Sequence, residues 1–337
     1  MNIITVNVVQ SQRNTSVDAI KVIAMTMVLL LHTGVSSASF IDNSNSRDVV
    51  YAICCIAVPL FFMASGYLMQ TREVSLAYVK KKVFGILKFI IITISLALIV
   101  YNLIDYINNG RLTSRGLGIA SYFSWTVQKG YMWQYWYFGA MILLYIINAL
   151  IPNEILFSYK ILSIMVLASF LAFILNALCQ FEKMYLPQTF RLYYWVMFYC
   201  MGGVIRKKEK SLTMINWLWV LLVSIVYVFF QCFGPDLGGN EFYFGSVLCM
   251  VYAVCVFCAC LNTVIKNGGI INLLSSLFLP VYALHVLFYD ILKFLGIGVN
   301  VNQEWGFLVL CIVHCTLTIL LCWMLMRIKF MKKIFKI

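Results

Sequence analysis

An acid, a lysine and a histidine share one side of the first apolar stretch of the chain, SVDAIKVIAMTMVLLLH, residues 16–32. On a helix with about 100° and about 1.5 Å per residue, Lys21 and His32 lie within roughly 20° of one face and roughly 16 Å apart. Asp18 lies about 60° from Lys21 on the same side. A charge at the centre of a bilayer costs about 3 kcal/mol even on permissive scales. This polar stripe is therefore expected to face a protein interior or a cavity, as a candidate functional site.

The three residues offer acid–base and anion-binding chemistry. His32 could act as a general base, which contributes about 10² to 10⁴ in rate, or it could be a hydrogen-bonded structural histidine. Lys21 could bind a phosphate or could extend its ammonium group to the membrane surface. Asp18 could stabilise the start of the helix or pair with Lys21 three residues on.

Composition places the chain in a membrane. Of its 337 residues 63% are hydrophobic and only 11% are charged, against about 25% charged in soluble domains. The sequence predicts an all-α, polytopic integral membrane protein with no room for a separate soluble domain. The net charge of +13 is interpreted as topology signals and contacts with anionic membrane lipid, and no nucleic-acid partner is expected. Most of the 12 cysteines lie in apolar stretches, which argues against disulfides and metal sites.

Apolar stretches predict about ten transmembrane helices, since a span needs about 20 residues. The chain then divides into an N-terminal cytoplasmic segment 1–17, a transmembrane domain 18–327 and a basic tail 328–337. The predicted spans are residues 19–36, 49–69, 83–106, 135–151, 161–178, 193–205, 215–233, 242–264, 273–295 and 305–326.

Basic residues predict the orientation of these spans. If the N-terminus, the even-numbered loops and the C-terminus share one side, that side holds 18 of the 25 lysines and arginines. Positively charged loops remain in the cytoplasm, so both termini are expected to be cytoplasmic and the protein to reside in the cytoplasmic (inner) membrane. Lys21 would then lie near the cytoplasmic end of the first span and His32 toward the outer end.

Further candidates lie along the chain. Lys80, Lys81 and Lys82 form a basic cluster that could anchor a span or bind an anionic group such as a nucleotide phosphate. His285 shares a helical face with two tyrosines, a pattern typical of a packed core patch, and His314 is interpreted as structural. Aromatic residues could form an interfacial belt or bind sugars; they are Trp125, Tyr131, Trp133, Tyr135, Trp136 and Tyr137.

Together these motifs resemble the membrane acyltransferase-3 family. The first span has Asp18, Lys21 and His32 in the family's Asp-x-x-Arg-x10-His spacing, and the second ends in FFMASGYLM, similar to the family's Phe-Phe-x-x-Ser-Gly-Tyr. The run Lys80-Lys81-Lys82, the Trp136-Tyr137-Phe138 start of the fourth span and YALH ending at His285 also resemble family patterns. Two positions differ: Lys21 stands where the family has arginine, which removes the bidentate fork, and Gly85 replaces the second arginine of an Arg-x-x-Arg motif.

The resemblance implies an O-acetyltransferase that moves an acyl group, most often acetyl, from cytoplasmic acetyl-CoA to a hydroxyl of a surface glycan or lipid-linked oligosaccharide. It implies that His32 deprotonates the acceptor hydroxyl or briefly carries the acyl group, and that no metal takes part. The implied roles are catalytic for His32 and Asp18, donor-binding for Lys21, Lys81, Lys82, Ser65 and Gly66, and acceptor-binding for Trp136, Tyr137 and His285.

Two other functions fit the polar stripe. The chain could be a transporter or flippase for a lipid-linked sugar, in which the stripe is a proton or substrate path. It could also be a membrane scaffold whose stripe binds a partner helix. Symmetric halves would favour the transporter, and a loss of assembly without His32 would favour the scaffold.

Overall fold

The structure is a computed structural model of the chain, and its described residues form helices and turns without a strand, which confirms the predicted all-α class. Residues 1–13 of the predicted N-terminal segment lie outside the described part. The structure describes residues 14–37, 45–110, 119–130, 132–179, 185–233, 240–266, 268–297 and 304–335.

Fifteen α-helices are described, together with short 3₁₀ segments that include Ser124–Val127 and Trp133–Tyr135. The helices are α1 Thr15–Ser37, α2 Asn45–Cys54, α3 Ala57–Met69, α4 Leu76–Asn109, α5 Ile119–Phe123, α6 Trp136–Leu150, α7 Asn153–Leu156, α8 Tyr159–Cys179, α9 Leu192–Lys208, α10 Trp217–Phe233, α11 Val247–Asn262, α12 Gly269–Ser276, α13 Phe278–Phe294, α14 Glu304–Leu325 and α15 Lys329–Ile334.

Each predicted span coincides with one helix or with a broken pair of helices. Among the described residues, five segments are long and apolar enough to cross a membrane, and the bent pair α12–α13 is a sixth. Helices α10 and α11 are apolar but shorter. The chain is therefore a polytopic membrane protein, and the count of ten spans and the cytoplasmic position of the termini stay predictions.

Proline breaks both of the interrupted spans. A proline ring clashes with the carbonyl four residues earlier and offers no N–H to it. Pro59 has this effect on Cys55, where α2 gives way to a two-residue turn before α3. Pro280 has it on Ser276, the last residue of α12, and α13 then continues at an angle of 58°. Both breaks border the cavities described below.

Helix α1 lies at the centre of the fold and contacts α2, α3, α11, α12, α13 and α14. Its central position explains how one helix can carry several polar groups, because they face other helices rather than lipid. Next to it, α3 and α9 approach until their backbones touch. A Cβ atom on Gly66 would lie 1.9 Å from the carbonyl oxygen of Tyr199, and one on Gly202 would lie 1.9 Å from that of Met63.

Four of the six aromatic residues around the start of α6 do not form a belt; Trp133 is half-buried, and Tyr131 lies outside the described residues. Trp125, Tyr135, Trp136 and Tyr137 are buried within the protein, so the interfacial interpretation is wrong for them. The rings pack on α3, α9 and α13 instead; Trp136 lies 5.1 Å from Trp195, for example. Hydropathy cannot separate these cases, because an aromatic side chain suits both an interface and a core.

Candidate active site

Asp18 and Lys21 lie at one end of α1, where the local sequence fixes the start of the helix. Asn14 caps it, since its side chain accepts a hydrogen bond of 3.1 Å from the amide of Val17. Asp18 is buried, and its carboxylate accepts a hydrogen bond of 2.7 Å from the Ser275 hydroxyl. Ser275 lies at the end of α12, next to the break that Pro280 causes. The ammonium of Lys21 lies 3.5 Å from the same carboxylate. Asp18 therefore ties Lys21 to α12.

Lys21 faces a polar cavity of about 470 Å³ that also contains two arginines. Arg206, at the end of α9, donates to the Tyr67 hydroxyl at 2.6 Å and to Glu209 at 2.8 Å. Arg72 follows the end of α3. The lining residues are Asn14, Val17, Asp18, Lys21, Tyr67, Leu68, Thr71, Arg72, Arg206 and Ser275. Three basic residues, on α1, on α9 and in the loop after α3, thus converge on one space, and the charge count assigns all three to one side of the membrane.

His32 lies near the other end of α1 and borders a second, smaller cavity of about 70 Å³. Its ring centroid is 5.0 Å from that of Trp133 and 4.7 Å from that of His285. Its Nδ1 is buried, and no hydrogen-bond partner for it exists among the described residues. The cavity is lined by Val28, Leu31, His32, Tyr51, Cys55, Val58, Gln128, Trp133, Trp136, Gln188, Phe244 and Tyr282.

Two glutamines from loops complete this second cavity. The backbone N–H of Gln188 donates to the side-chain oxygen of Gln128 at 2.8 Å, and the backbone carbonyl of Gln188 accepts from the Trp195 indole at 2.6 Å. The side-chain oxygen of Gln188 is buried and has no partner in the described part of the chain. Gln128 has a φ of 55°, a left-handed conformation that strains a non-glycine residue and that occurs preferentially at functional sites.

A third histidine supports the other two from α14. His314 lies with Nδ1 2.7 Å from the Thr33 hydroxyl and Nε2 3.0 Å from the His285 carbonyl. A carbonyl only accepts, so a neutral His314 carries its proton on Nε2, and Thr33 then donates to Nδ1. Thr33 directly follows His32 in the chain, and the His285 ring lies against the ring of His32. His314 therefore connects Thr33 with His285 behind the His32 cavity.

An apolar layer separates the two cavities. On α1 the intervening residues include Ala24 and Met25, and on α3 they include Phe61; all three are buried. The Phe61 ring is 4.7 Å from that of Phe278 on α13. The two described linings have no residue in common. Lys21 and His32 thus face different spaces, and ten residues of α1 separate them, which places them about 16 Å apart along the helix axis.

The structure distributes the other predicted site residues unevenly. Trp136 lines the His32 cavity, and His285 is fully buried with Nδ1 2.8 Å from the Tyr282 carbonyl. Tyr137 is packed against Phe62, with ring centroids 5.1 Å apart, and is not among the lining residues. It also bonds to the Ser65 hydroxyl.

Gly66 and the lysines of the basic cluster lie at different places in the fold. Gly66 is the contact of α3 with α9, so packing accounts for this glycine. Lys82 interacts electrostatically with Arg72, at the edge of the first cavity, whereas Lys81 lines a different cavity against α15. Neighbours on a helix point about 100° apart, which is why one run of lysines serves two surfaces.

Sequence reasoning missed several residues of both cavities. Arg72 and Arg206 counted only as topology signals, Gln128 and Gln188 did not stand out from their loops, and His314 had no visible partner. The run Arg206-Lys207-Lys208 after an apolar helix was the one local signal for the arginines. The remaining pairings are long-range and leave no pattern in the sequence.

The fold and the two cavities define a class: a helical, multi-pass membrane protein whose central helix joins a cationic cavity to a histidine cavity. The chain belongs to the acyltransferase-3 family, because the model of that family, described as an acyltransferase domain, matches residues 14–327. It is therefore a membrane acyltransferase. A search of curated proteins and a search of solved structures each found no match.

Proposed function

We propose that the chain transfers an acyl group, with acetyl as the expected one, from acyl-CoA to a hydroxyl of a surface glycan or lipid-linked oligosaccharide. The observation that carries the proposal is a pair of buried atoms in one cavity, His32 Nδ1 and Gln188 Oε1, that have no hydrogen-bond partner among the described residues. Buried polar atoms are normally hydrogen-bonded, and exceptions call for an explanation. Both atoms are acceptors when His32 is protonated on Nε2, so they suit a ligand that brings a hydroxyl.

The donor's phosphates fit the first cavity. Its volume of about 470 Å³ is in the range of ligand sites, about 300–1,000 Å³. Lys21, Arg72 and Arg206 supply the charge-assisted donors that phosphate oxygens prefer. Asp18 is a positioning residue here, since its carboxylate holds Lys21, and Lys82 extends the positive potential beside Arg72. The two arginines supply the bidentate hydrogen-bond donors that a lysine at position 21 cannot offer.

The thioester must pass the apolar layer to reach His32. Side chains such as Phe61 and Phe278 have to move aside, after which the thioester carbonyl enters the second cavity. In direct transfer, His32 removes the proton from the acceptor hydroxyl, the oxygen attacks the thioester carbonyl, the C–S bond breaks, and the CoA sulfur leaves and takes up the proton. In the other route, the His32 imidazole attacks the thioester carbonyl, the C–S bond breaks and CoA leaves as its thiol with the imidazole proton. The acyl group then passes from His32 to the acceptor oxygen, and the hydroxyl proton returns to the imidazole.

The acceptor glycan remains largely outside this cavity. A volume of about 70 Å³ holds a few water molecules, since one needs about 10–15 Å³. It therefore receives the reacting hydroxyl and the acyl group. Trp136 and the two loops that carry Gln128 and Gln188 are placed to contact the adjoining sugar, and His285 borders the site through its ring contact with His32.

The experiment compares the O-acetyl content of the host's surface glycan, measured by NMR, for the wild-type chain and His32→Ala at equal membrane abundance. The matched control is Thr26→Ala on the same helix, whose hydroxyl donates to the Val22 carbonyl one turn earlier. We expect acetylation with the wild type and the control and none with His32→Ala. Equal acetylation by all three would remove His32 from the mechanism. Unchanged acetylation with altered glycan export would instead support the transporter.

A second arm tests the hydroxyl site with purified protein and acetyl-CoA. Gln188→Met keeps the length of the side chain and removes its acceptor oxygen. We expect this variant to raise the KM for the glycan and to leave the KM for acetyl-CoA unchanged, because the donor phosphates bind about 16 Å away along α1. An equal rise in both constants would mean that Gln188 acts on the fold rather than on the acceptor.

A further inference from the structure

A separate group of lysines lies on the side of α4 that faces away from the protein core, where the short helix α15 packs against it. Lys81 and Lys88 project from α4 and Lys333 from α15 into a cavity of about 390 Å³. Its lining residues are Lys81, Phe84, Gly85, Lys88, Phe89, Ile92, Phe330, Lys333 and Ile334. This lysine cavity therefore combines three cations with an apolar wall and has no acidic residue in its described lining.

The length of α4 places this cavity at the membrane surface. The helix has 34 residues, or about 51 Å at about 1.5 Å per residue, whereas the hydrocarbon core is about 30 Å thick. Roughly 14 residues must therefore lie outside the core. The lysines occupy the first four turns, and the uncharged run begins at Phe89. Lys81 and Lys88 thus lie at the level of the lipid headgroups.

The apolar part of the wall is open to lipid. Phe84 is 71% exposed and Phe330 is 66% exposed, so both rings meet the surrounding bilayer. Phe335 fixes α15 in place, since its buried ring lies 5.5 Å from that of Phe89. A ligand that satisfies every wall of the cavity carries a negative headgroup for the lysines and hydrocarbon chains for the exposed rings.

We propose that the lysine cavity binds the phosphate headgroup of an anionic phospholipid. Basic pockets between helices on the cytoplasmic side are suited to such lipids, and three cations favour a headgroup with more than one negative charge. Bound phosphate also relieves the repulsion among Lys81, Lys88 and Lys333 and so holds α15 against α4. The proposal does not depend on the transfer reaction.

The test is native mass spectrometry of the purified full chain from mixed vesicles of phosphatidylethanolamine, phosphatidylglycerol and cardiolipin. The variant is Lys81→Gln/Lys88→Gln/Lys333→Gln. The matched control, Lys160→Gln/Lys329→Gln/Lys332→Gln, removes three exposed lysines that do not line the cavity. A charged hydrogen bond from a lysine to the headgroup phosphate contributes about a factor of ten in affinity, and the control lysines lie outside the cavity. We expect the variant to lose cardiolipin affinity by at least about a hundredfold and the control to lose much less.

Two further arms make the result decisive. The charge-conserving variant Lys81→Arg/Lys88→Arg/Lys333→Arg should retain the lipid, and it also shows whether the glutamine variant is merely misfolded. Added acetyl-CoA should leave the bound lipid in place. Equal loss in the control, equal retention of phosphatidylethanolamine, or displacement of the lipid by acetyl-CoA would each overturn the proposal, the last by assigning the cavity to the acyl donor.

Discussion

Replacing His314 with leucine removes two hydrogen bonds that join three helices behind the His32 cavity. One connects α14 to Thr33 on α1, and the other connects α14 to the His285 carbonyl on α13. Both partners have another bond available. The Thr33 hydroxyl, whose one proton points to His314 in the wild type, can turn it to the Leu29 carbonyl 2.7 Å away, and the His285 carbonyl lies inside α13, where it accepts from the amide four residues on. His314→Leu therefore leaves no buried group without a partner.

The magnitude follows from these two bonds. Hydrogen bonds between helices in membrane proteins average about 0.6 kcal/mol, so the loss in the free energy of unfolding should be near 1 kcal/mol. The effect on rate should be larger, because a catalytic group displaced by about 1 Å can lose about 10² in rate. Thr33 is adjacent to His32, so freeing it lets the imidazole shift. We expect kcat to fall at least tenfold and the KM for acetyl-CoA to remain unchanged.

The assay measures initial rates of CoA release in proteoliposomes together with thermal unfolding of the same preparations. His314→Gln can still donate to the His285 carbonyl and should recover part of the rate. The control is Thr318→Val, one turn further along α14, where the buried hydroxyl has no partner among the described residues. A wild-type kcat in His314→Leu, or an equal loss in Thr318→Val, would refute a positioning role for His314.

Three other outcomes are expected. Arg72→Gln should raise the KM for acetyl-CoA tenfold or more with kcat unchanged, since a charged hydrogen bond contributes about 1.5–3 kcal/mol; Lys160→Gln, an exposed control, should leave KM as it is. Gly66→Ala should lower the free energy of unfolding by about 1–3 kcal/mol, because the new Cβ meets the Tyr199 carbonyl. The KM for acetyl-CoA should not rise. Fluorescence-detected size exclusion after heating measures the loss of stability. A fluorescent protein fused after residue 337 should fluoresce, and alkaline phosphatase fused there should be inactive, if the C-terminus is cytoplasmic.

Much of the fold could be read from the sequence because hydrophobicity is a local property. Each apolar stretch became a helix or a broken pair, and Pro59 and Pro280 interrupted the helices for steric reasons that are visible in the sequence. The polar stripe on α1 was equally local, since the helical repeat alone aligns Lys21 with His32. The all-α class and the family were accordingly predicted and are confirmed.

The partners of the stripe could not be predicted in the same way. Arg206 is 185 positions from Lys21, and His314 is 281 positions from Thr33, and no periodicity connects such residues. The lysine run depends on packing in the same way. Lys81 lines the cavity against α15, whereas Lys82 lies close enough to Arg72 to interact with it electrostatically. The pattern gives the face of each residue, and only the packing of helices gives what that face meets.

The apolar layer between the two cavities also bears on energy coupling. If water fills both cavities, the membrane voltage falls mainly across that layer, and each elementary charge moved through it exchanges about 2.3 kcal/mol per 100 mV. The rings of Phe61, which is buried, and of Phe278, which is half-buried, would admit the uncharged thioester arm and exclude the phosphates, so no net charge crosses. Acyl transfer through this route would therefore run at the same rate in an energised membrane and in a depolarised one, and the same layer would keep the polar stripe from leaking protons.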